Sequence, residues 1–204
     1  TGMICHEFKG GIGTASRVLP EHHGGFAVAA LVQANYGHRQ LLRVDGVRVG
    51  EAIPTSSVPS PYDQAEAPTT GGPGSGSIIV VIATSAPLLP HQCERLAQRA
   101  GIGLARMGGT GGHTSGDIFI AFATGNRIPT PAGGDVIRQP TYDVRAVGDE
   151  VIDALFLGAI ESTEEAILNA LLAAETMTGR DGITAHALPH DRLCAVLEEH
   201  HALR

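Results

Sequence analysis

The stretch GGPGSGSIIVVIATS, residues 71–85, decides how the chain is read. Glycine, proline and serine run straight into SIIVVIAT, residues 77–84, a run dominated by β-branched side chains. Such a run, without polar alternation, predicts a strand covered on both faces. The loose leader ends at a Gly76–Ser77 bond, where the strand begins. Taken alone this step is ordinary, because glycine and serine at a loop end also serve close backbone packing.

Working outward, residues 26–35 (FAVAALVQAN) read as a small-residue strand, and residues 117–124 (DIFIAFAT) as a second buried strand. Residues 41–50 (LLRVDGVRVG) read as a hairpin, since Asp45-Gly46 suits a type I′ turn. Leu96, Ala100 and Leu104 at helical spacing behind Pro90 predict a helix over 90–106. Residues 147–178 are a long helical stretch. Gly158 and Ser162 suit close packing or a bend there, and Ser162–Glu165 also resembles a capping box, so one helix or two fit. A short helix is expected over 193–203. Residues 52–76, dominated by Pro, Ser, Thr and Gly, offer too few apolar groups to offset their ordering entropy and read as a mobile linker. Strands and helices mix without strict alternation, which implies a layered α+β or α/β fold in a single domain, 1–204.

With aromatics at 4% and no Trp, the core must be built from Ala, Val, Ile and Leu. A net charge of −7 without a Lys/Arg cluster argues against a nucleic-acid surface, which needs clustered cations. No apolar run approaches the roughly 20 residues of a membrane-spanning helix. Cys5, Cys93 and Cys194 form neither a CxxC pair nor a disulfide framework, which suggests a reducing, cytoplasmic setting. The chain opens at Thr1 within what reads as a structured segment, as the later part of a longer protein would.

Cleavage at Gly76–Ser77 would change the chemistry of Ser77. Its nitrogen would become an α-amine with a pKa of about 7.7–8.0, partly neutral near neutral pH and a few ångströms from its own hydroxyl. That amine can act as general base for the hydroxyl beside it, a known variant of the nucleophile–base pair. Before cleavage the nitrogen is an amide and cannot. The cut itself has a route: Ser77 Oγ attacks the Gly76 carbonyl, and water hydrolyses the ester. Glycine on the acyl side tolerates unusual backbone angles and leaves the carbonyl unshielded.

Four blocks occur in order: GMICHEFKGGIGTASR (2–17), QANYG (33–37), GSGSIIVVIATSAPLLPHQ (74–92) and TSGDIFIAFATGNR (114–127). Together they resemble the L-aminopeptidase/D-esterase family, which includes the β-aminopeptidases, over nearly the whole chain. The resemblance implies a self-processing N-terminal-nucleophile hydrolase with a four-layer αββα sandwich, acting on N-terminal residues of small peptides, amides or esters. It implies Ser77 as nucleophile and Gly76–Ser77 as the self-cleaved bond, giving chains 1–76 and 77–204. Asn35 matches the side-chain oxyanion donor, a role worth about 2.7–4 kcal/mol in a measured hydrolase. Ser115 and Asp117 match a serine and a carboxylate beside the nucleophile, where members often carry Glu in place of Asp117. No cofactor is implied. The expected partners are the substrate, a region that family members have before the first block, and further copies in a homo-oligomer. Two alternatives stand beside this one. A related acyltransferase of the ornithine acetyltransferase kind uses Thr as nucleophile, and Ser77 argues against it. A non-cleaving structural homologue would keep Ser77 amide-linked.

KGGIGTAS (9–16) lacks the spacing of a phosphate loop and reads as a tight glycine turn near the site. GGTGGHTSG (108–116) is a loop that lets backbone approach a neighbour closely, the substrate included. His113, within it, is a weak candidate for substrate binding. The pairs His22-His23 and His200-His201 have no metal-site spacing and read as solvated surface.

Overall fold

The computed structural model describes residues 2–64, 72, 76–128 and 141–203. The chain starts with a tight hairpin of β1 (Ile4–Cys5) and β2 (Phe8–Lys9), turned by His6 and Glu7, both at positive φ. It continues into β3 (Gly11–Val18) and β4 (Ala27–Asn35), then the short helix α1 (Val49–Ala52) and β5 (Ser77–Thr84). Helices α2 (Pro90–Gln98) and α3 (Ala100–Arg106) form the crossover to β6 (Ile118–Ala123). After these come α4 (Asp149–Leu172), a two-residue pair β7 (Met177–Thr178) and β8 (Thr184–Ala185), and α5 (His190–Glu199). Strands β3–β4–β5–β6 make one four-stranded sheet, antiparallel except for the parallel β5–β6 pair. The mixed α+β class is as the sequence implies.

One face of this sheet carries the core. Val28, Ala30, Val32 and Ala34 of β4 and Ile78, Val80 and Ile82 of β5 are buried beneath the helices, α4 lying across β3 and β4. Each fully buried Val or Ile contributes about 1.5–3 kcal/mol. Approach is close where it matters: a Cβ on Gly13 of β3 would overlap the Ala166 carbonyl oxygen of α4. The other face is different. Ile12, Leu31, Ile79, Ile118, Ile120 and Phe122 are exposed on it. The expectation that residues 77–84 and 117–124 are strands buried on both faces is therefore corrected. β5 alternates, and β6 is an edge strand packed through Phe119, Ala121 and Ala123 alone. Both strands are apolar on both sides, yet the described residues place helices over one side. They supply a sheet and a helix layer, two of the four layers of an αββα sandwich.

Other expectations are sharpened. The helix over 90–106 is two helices, and α3 reaches α4 through Gly103, whose Cβ would lie 2.6 Å from the Ile160 carbonyl oxygen. The stretch 147–178 contains a single helix, α4. Gly158 and Ser162 press it onto β4, and Ser162 caps nothing; its Oγ lies 3.4 Å from the Val28 carbonyl oxygen. The hairpin expected over 41–50 shrinks to one bridge, Val44–Val47, around Asp45 (φ 48°) and Gly46 (φ 78°). The linker expected over 52–76 is packed in its first part. Ile53, Val58 and Ser60 are buried, and Arg39 Nη1 donates to the Ile53 and Val58 carbonyls at 3.1 and 3.0 Å. Composition undercounts this segment because its few apolar side chains reach the core and a buried guanidinium takes up two of its carbonyls. Residues 65–71 and 73–75 of that expectation lie outside the described residues.

Candidate active site

Antiparallel register sets Asn35, the last residue of β4, opposite Ser77, the first of β5. With side chains alternating, both sit on the open face of the sheet. Parallel register brings the start of β6 alongside, and with it the loop 115–117. Ser77 Oγ accepts a hydrogen bond from the Gly116 backbone N–H at 2.8 Å. Asp117 Oδ1 accepts from Ser115 Oγ at 2.6 Å and from the Ile78 N–H at 3.0 Å. Ser115 Oγ also lies 3.2 Å from the Gly76 carbonyl oxygen. A hydroxyl has one proton, and the shorter contact to the carboxylate is the stronger.

Asn35 Oδ1 accepts the Ile4 N–H at 2.8 Å, which fixes the amide flip and turns Nδ2 toward Gly76. A Cβ on Gly76 would lie 3.0 Å from that Nδ2 and would overlap the Asn35 carbonyl oxygen. Glycine is required at 76 by close approach. Gly76 is not among the positive-φ residues, so conformational freedom is not its reason. Ser77, Asn35, Gly76, Ser115 and Asp117 thus meet at one corner. His113 does not join them: it is exposed on the loop and makes none of these contacts.

Behind the corner lies a small cavity of about 60 Å³, lined by Tyr36, Gly76, residues 108–112, Ser115 and Asp117 among others. Tyr36 is buried, and its Oη has no hydrogen-bond partner among the described residues. Burial, then the charges of Cys5 and Asp117, holds its phenol well above the usual range. The glycine loop behaves in two ways. Gly108 is pressed against the Leu41 carbonyl, whereas Gly111 and Gly112 face open space. The groups that sequence reasoning missed are the backbone N–H donors of Ile4 and Gly116 and the buried Lys9 and Tyr36. Backbone donors leave no trace in residue types. Lys9 and Tyr36 stand inside two of the quoted blocks and could have been found there. No group of three or more His, Cys, Asp or Glu able to hold a metal occurs among the described residues.

The candidate site is thus a serine opening a central strand, with a carboxyl-bound serine and an asparagine amide around it, on a layered α+β scaffold. Comparison with known proteins says what such a chain is similar to. The chain superimposes on the L-aminopeptidase D-Ala-esterase/amidase of Ochrobactrum anthropi with a TM-score of 0.86 and 46% identity, over 100% of this chain and 52% of that one. That protein is described as a prototype for the serine aminopeptidases and a new variant of the Ntn hydrolase fold. A β-aminopeptidase of Burkholderia sp. matches with a TM-score of 0.85 and 52% identity, over 97% of this chain and 51% of that one. The β-peptidyl aminopeptidase BapA of Sphingosinicella microcystinivorans is 46% identical over 99% of this chain and 50% of its own length. The model of peptidase family S58 matches residues 1–185, and the chain belongs to that family. It spans about half the length of the relatives it matches.

Proposed function

We propose that the chain is the nucleophile-bearing half of a self-activating serine aminopeptidase, acting on the N-terminal residue of small peptides, amides or esters. The observation that carries this reading is the Gly76–Ser77 junction, with Asn35 paired opposite Ser77, its Nδ2 turned toward Gly76, and Ser115 Oγ 3.2 Å from the Gly76 carbonyl oxygen. Ser77 Oγ attacks the Gly76 carbonyl carbon. Negative charge develops on the carbonyl oxygen, which Ser115 Oγ already approaches at 3.2 Å and to which we assign Asn35 Nδ2 as the oxyanion donor. The C–N bond breaks, the nitrogen takes the proton that Oγ gives up and becomes the Ser77 amine, and Gly76 is left as an ester on Oγ. Water hydrolyses the ester. The freed amine then takes the Oγ proton as Ser77 attacks an external substrate and returns it to the departing amine or alcohol, leaving an acyl-enzyme that water hydrolyses. Asp117, anchored by Ser115 and Ile78, is the carboxylate we assign to hold the protonated amine. His113 keeps at most an outer contact with substrate.

The relatives' additional length would supply a second sheet and helix layer over the open face, completing the αββα sandwich and the substrate pocket. Homo-oligomerisation belongs to the same reading. The cytoplasm is the compartment we propose, on three unpaired thiols. No helix of the described residues is long and apolar enough to cross a membrane.

The test is the intact mass of the full-length protein under denaturing conditions, beside Ser77→Ala. Two chains split at 76/77 in the wild type and one in the variant support the reading. One uncut chain in both, with the fold intact, overturns it in favour of a non-cleaving homologue.

A further inference from the structure

Lys9 is a buried lysine with no acidic partner among the described residues. It is 7% exposed, and none of the ion pairs among the described residues includes it. Its Nζ donates to two backbone carbonyls instead, Gly10 at 2.6 Å and Met3 at 3.3 Å. Burial pushes its ammonium below the usual lysine range, with no neighbouring carboxylate to offset the shift. Taking an ammonium out of water is costly, and two carbonyl acceptors replace little of its hydration. The Met3 carbonyl does not need the lysine, since the Gly10 N–H already donates to it at 2.8 Å.

The Met3–Ile4 peptide connects this cation to the candidate active site. At one end its carbonyl accepts from Lys9 Nζ. At the other its N–H donates to Asn35 Oδ1 at 2.8 Å. A cation at the carbonyl draws charge along the peptide and makes its N–H a better donor. A stronger donor at Oδ1 fixes the amide and makes Nδ2 more acidic, and Nδ2 is the atom facing Gly76. We propose that Lys9 is a positioning residue for the oxyanion donor, acting through the Met3–Ile4 peptide on Asn35. The inference rests on the serine aminopeptidase reading above. It adds to that reading a charged group that touches neither substrate nor nucleophile.

Because the oxyanion forms in the transition state alone, the effect falls on kcat and leaves KM nearly unchanged. The same donor serves self-cleavage, so both reactions respond together. Losing an oxyanion donor outright costs about 10²–10³ in kcat, and weakening one costs a part of that, about tenfold.

The experiment uses the full-length protein with Lys9→Met, which keeps the side chain's bulk, and Lys9→Arg, which keeps a cation. Turnover of an aminoacyl p-nitroanilide and the rate of chain splitting are measured in each, with and without Asn35→Ala. The expected result is a roughly tenfold loss of kcat and of splitting rate in Lys9→Met, at constant KM, with partial recovery in Lys9→Arg. In the Asn35→Ala background Lys9→Met costs nothing further, because its effect runs through that side chain. Full additivity of the two substitutions, or unchanged kcat in Lys9→Met, overturns the proposal. If Lys9→Met does not fold, Lys9→Gln replaces it, judged by the same cycle. Ser77→Ala runs in parallel. If that variant still splits and turns over substrate, the parent reading fails; if it is inert while Lys9 and Asn35 are additive, only the role of Lys9 fails.

Discussion

The two faces of the β3–β6 sheet are made from the same residue types and do different things. Along β5 the strand's period of two sends Ile78, Val80 and Ile82 under the helices, and Ser77, Ile79 and Val81 to the other side. The covered face holds the fold together. The open face begins with the Asn35–Ser77 pair and continues as apolar surface. On the proposed function, alternation alone separates stability from chemistry, so a substitution on one face should leave the property of the other nearly untouched.

The largest expected effect is Gly76→Ala in the full-length protein. A methyl group there would overlap the Asn35 carbonyl oxygen and press on its amide. A displacement of about 1 Å at a reacting carbon costs on the order of 10²-fold in rate. Chain splitting, followed by intact mass over time, should slow by at least that factor while the circular dichroism spectrum holds. Splitting at the wild-type rate would break the assignment of the open face to chemistry.

Stability gives the sharper contrast. Ile82→Ala, on the covered face, should cost about 2–5 kcal/mol in urea unfolding of the 204-residue chain. Ile120→Ala, at a side 51% exposed, should cost less than about 1 kcal/mol. Repeated in the full-length protein, the gap should narrow if a second sheet covers Ile120 there. A gap that stays the same would mean that the open face is solvated in the whole protein too.

The same two faces show what sequence could and could not reveal. The apolar runs at 26–35, 77–84 and 117–124 identified three of the four long strands, because β-branched and small apolar residues in short runs have few other uses. β3 was not read as a strand: KGGIGTAS (9–16) looks like a glycine turn, and the strand character of Gly11–Val18 comes from pairing with β4 and from α4 pressing on Gly13. The one-sided burial of β5 and β6 was invisible, since a run apolar on both faces does not say which layer is at hand. At the site, the quoted blocks located Ser77, Asn35, Ser115 and Asp117, which the fold brings together from three separate segments. The His113 candidacy came from nearness in sequence to Ser115. Two residues of loop backbone suffice to turn it into solvent.

Under the Asn35–Tyr36 strand end, on the covered side, lies His6. Its Nδ1 lies 2.9 Å from the His38 carbonyl and must donate to it, which leaves Nε2 as a buried lone pair with no partner among the described residues. Burial, above all, pushes its pKa from 6.5 down to about 4. The unfolded chain therefore binds the proton more readily between those values. Stability from this group is complete above pH 6.5 and is lost as pH falls toward about 4, with no further loss below. The full loss is about 3 kcal/mol at 1.36 kcal/mol per pH unit. Urea unfolding at a series of pH values should show this slope in the wild type and not in His6→Phe. Equal slopes in the two would place the imidazole in water.

The smallest effect tests the covered face within one strand. Gly13 and Gly11 of β3 point the same way, two residues apart. A Cβ on Gly13 would overlap the Ala166 carbonyl and lie 2.6 Å from the Ala170 nitrogen, both in the backbone of α4. Neither atom can rotate away, so Gly13→Ala must push helix from sheet, at about 1–3 kcal/mol. A Cβ on Gly11 meets nothing within 4 Å, and Gly11→Ala should fall within about 0.5 kcal/mol of the wild type. Since both replace glycine by alanine in one strand, their difference cancels the backbone preference and reports the helix contact alone. Equal effects would mean that α4 does not bear on β3 at Gly13, and that the covered face is covered less tightly than its geometry implies.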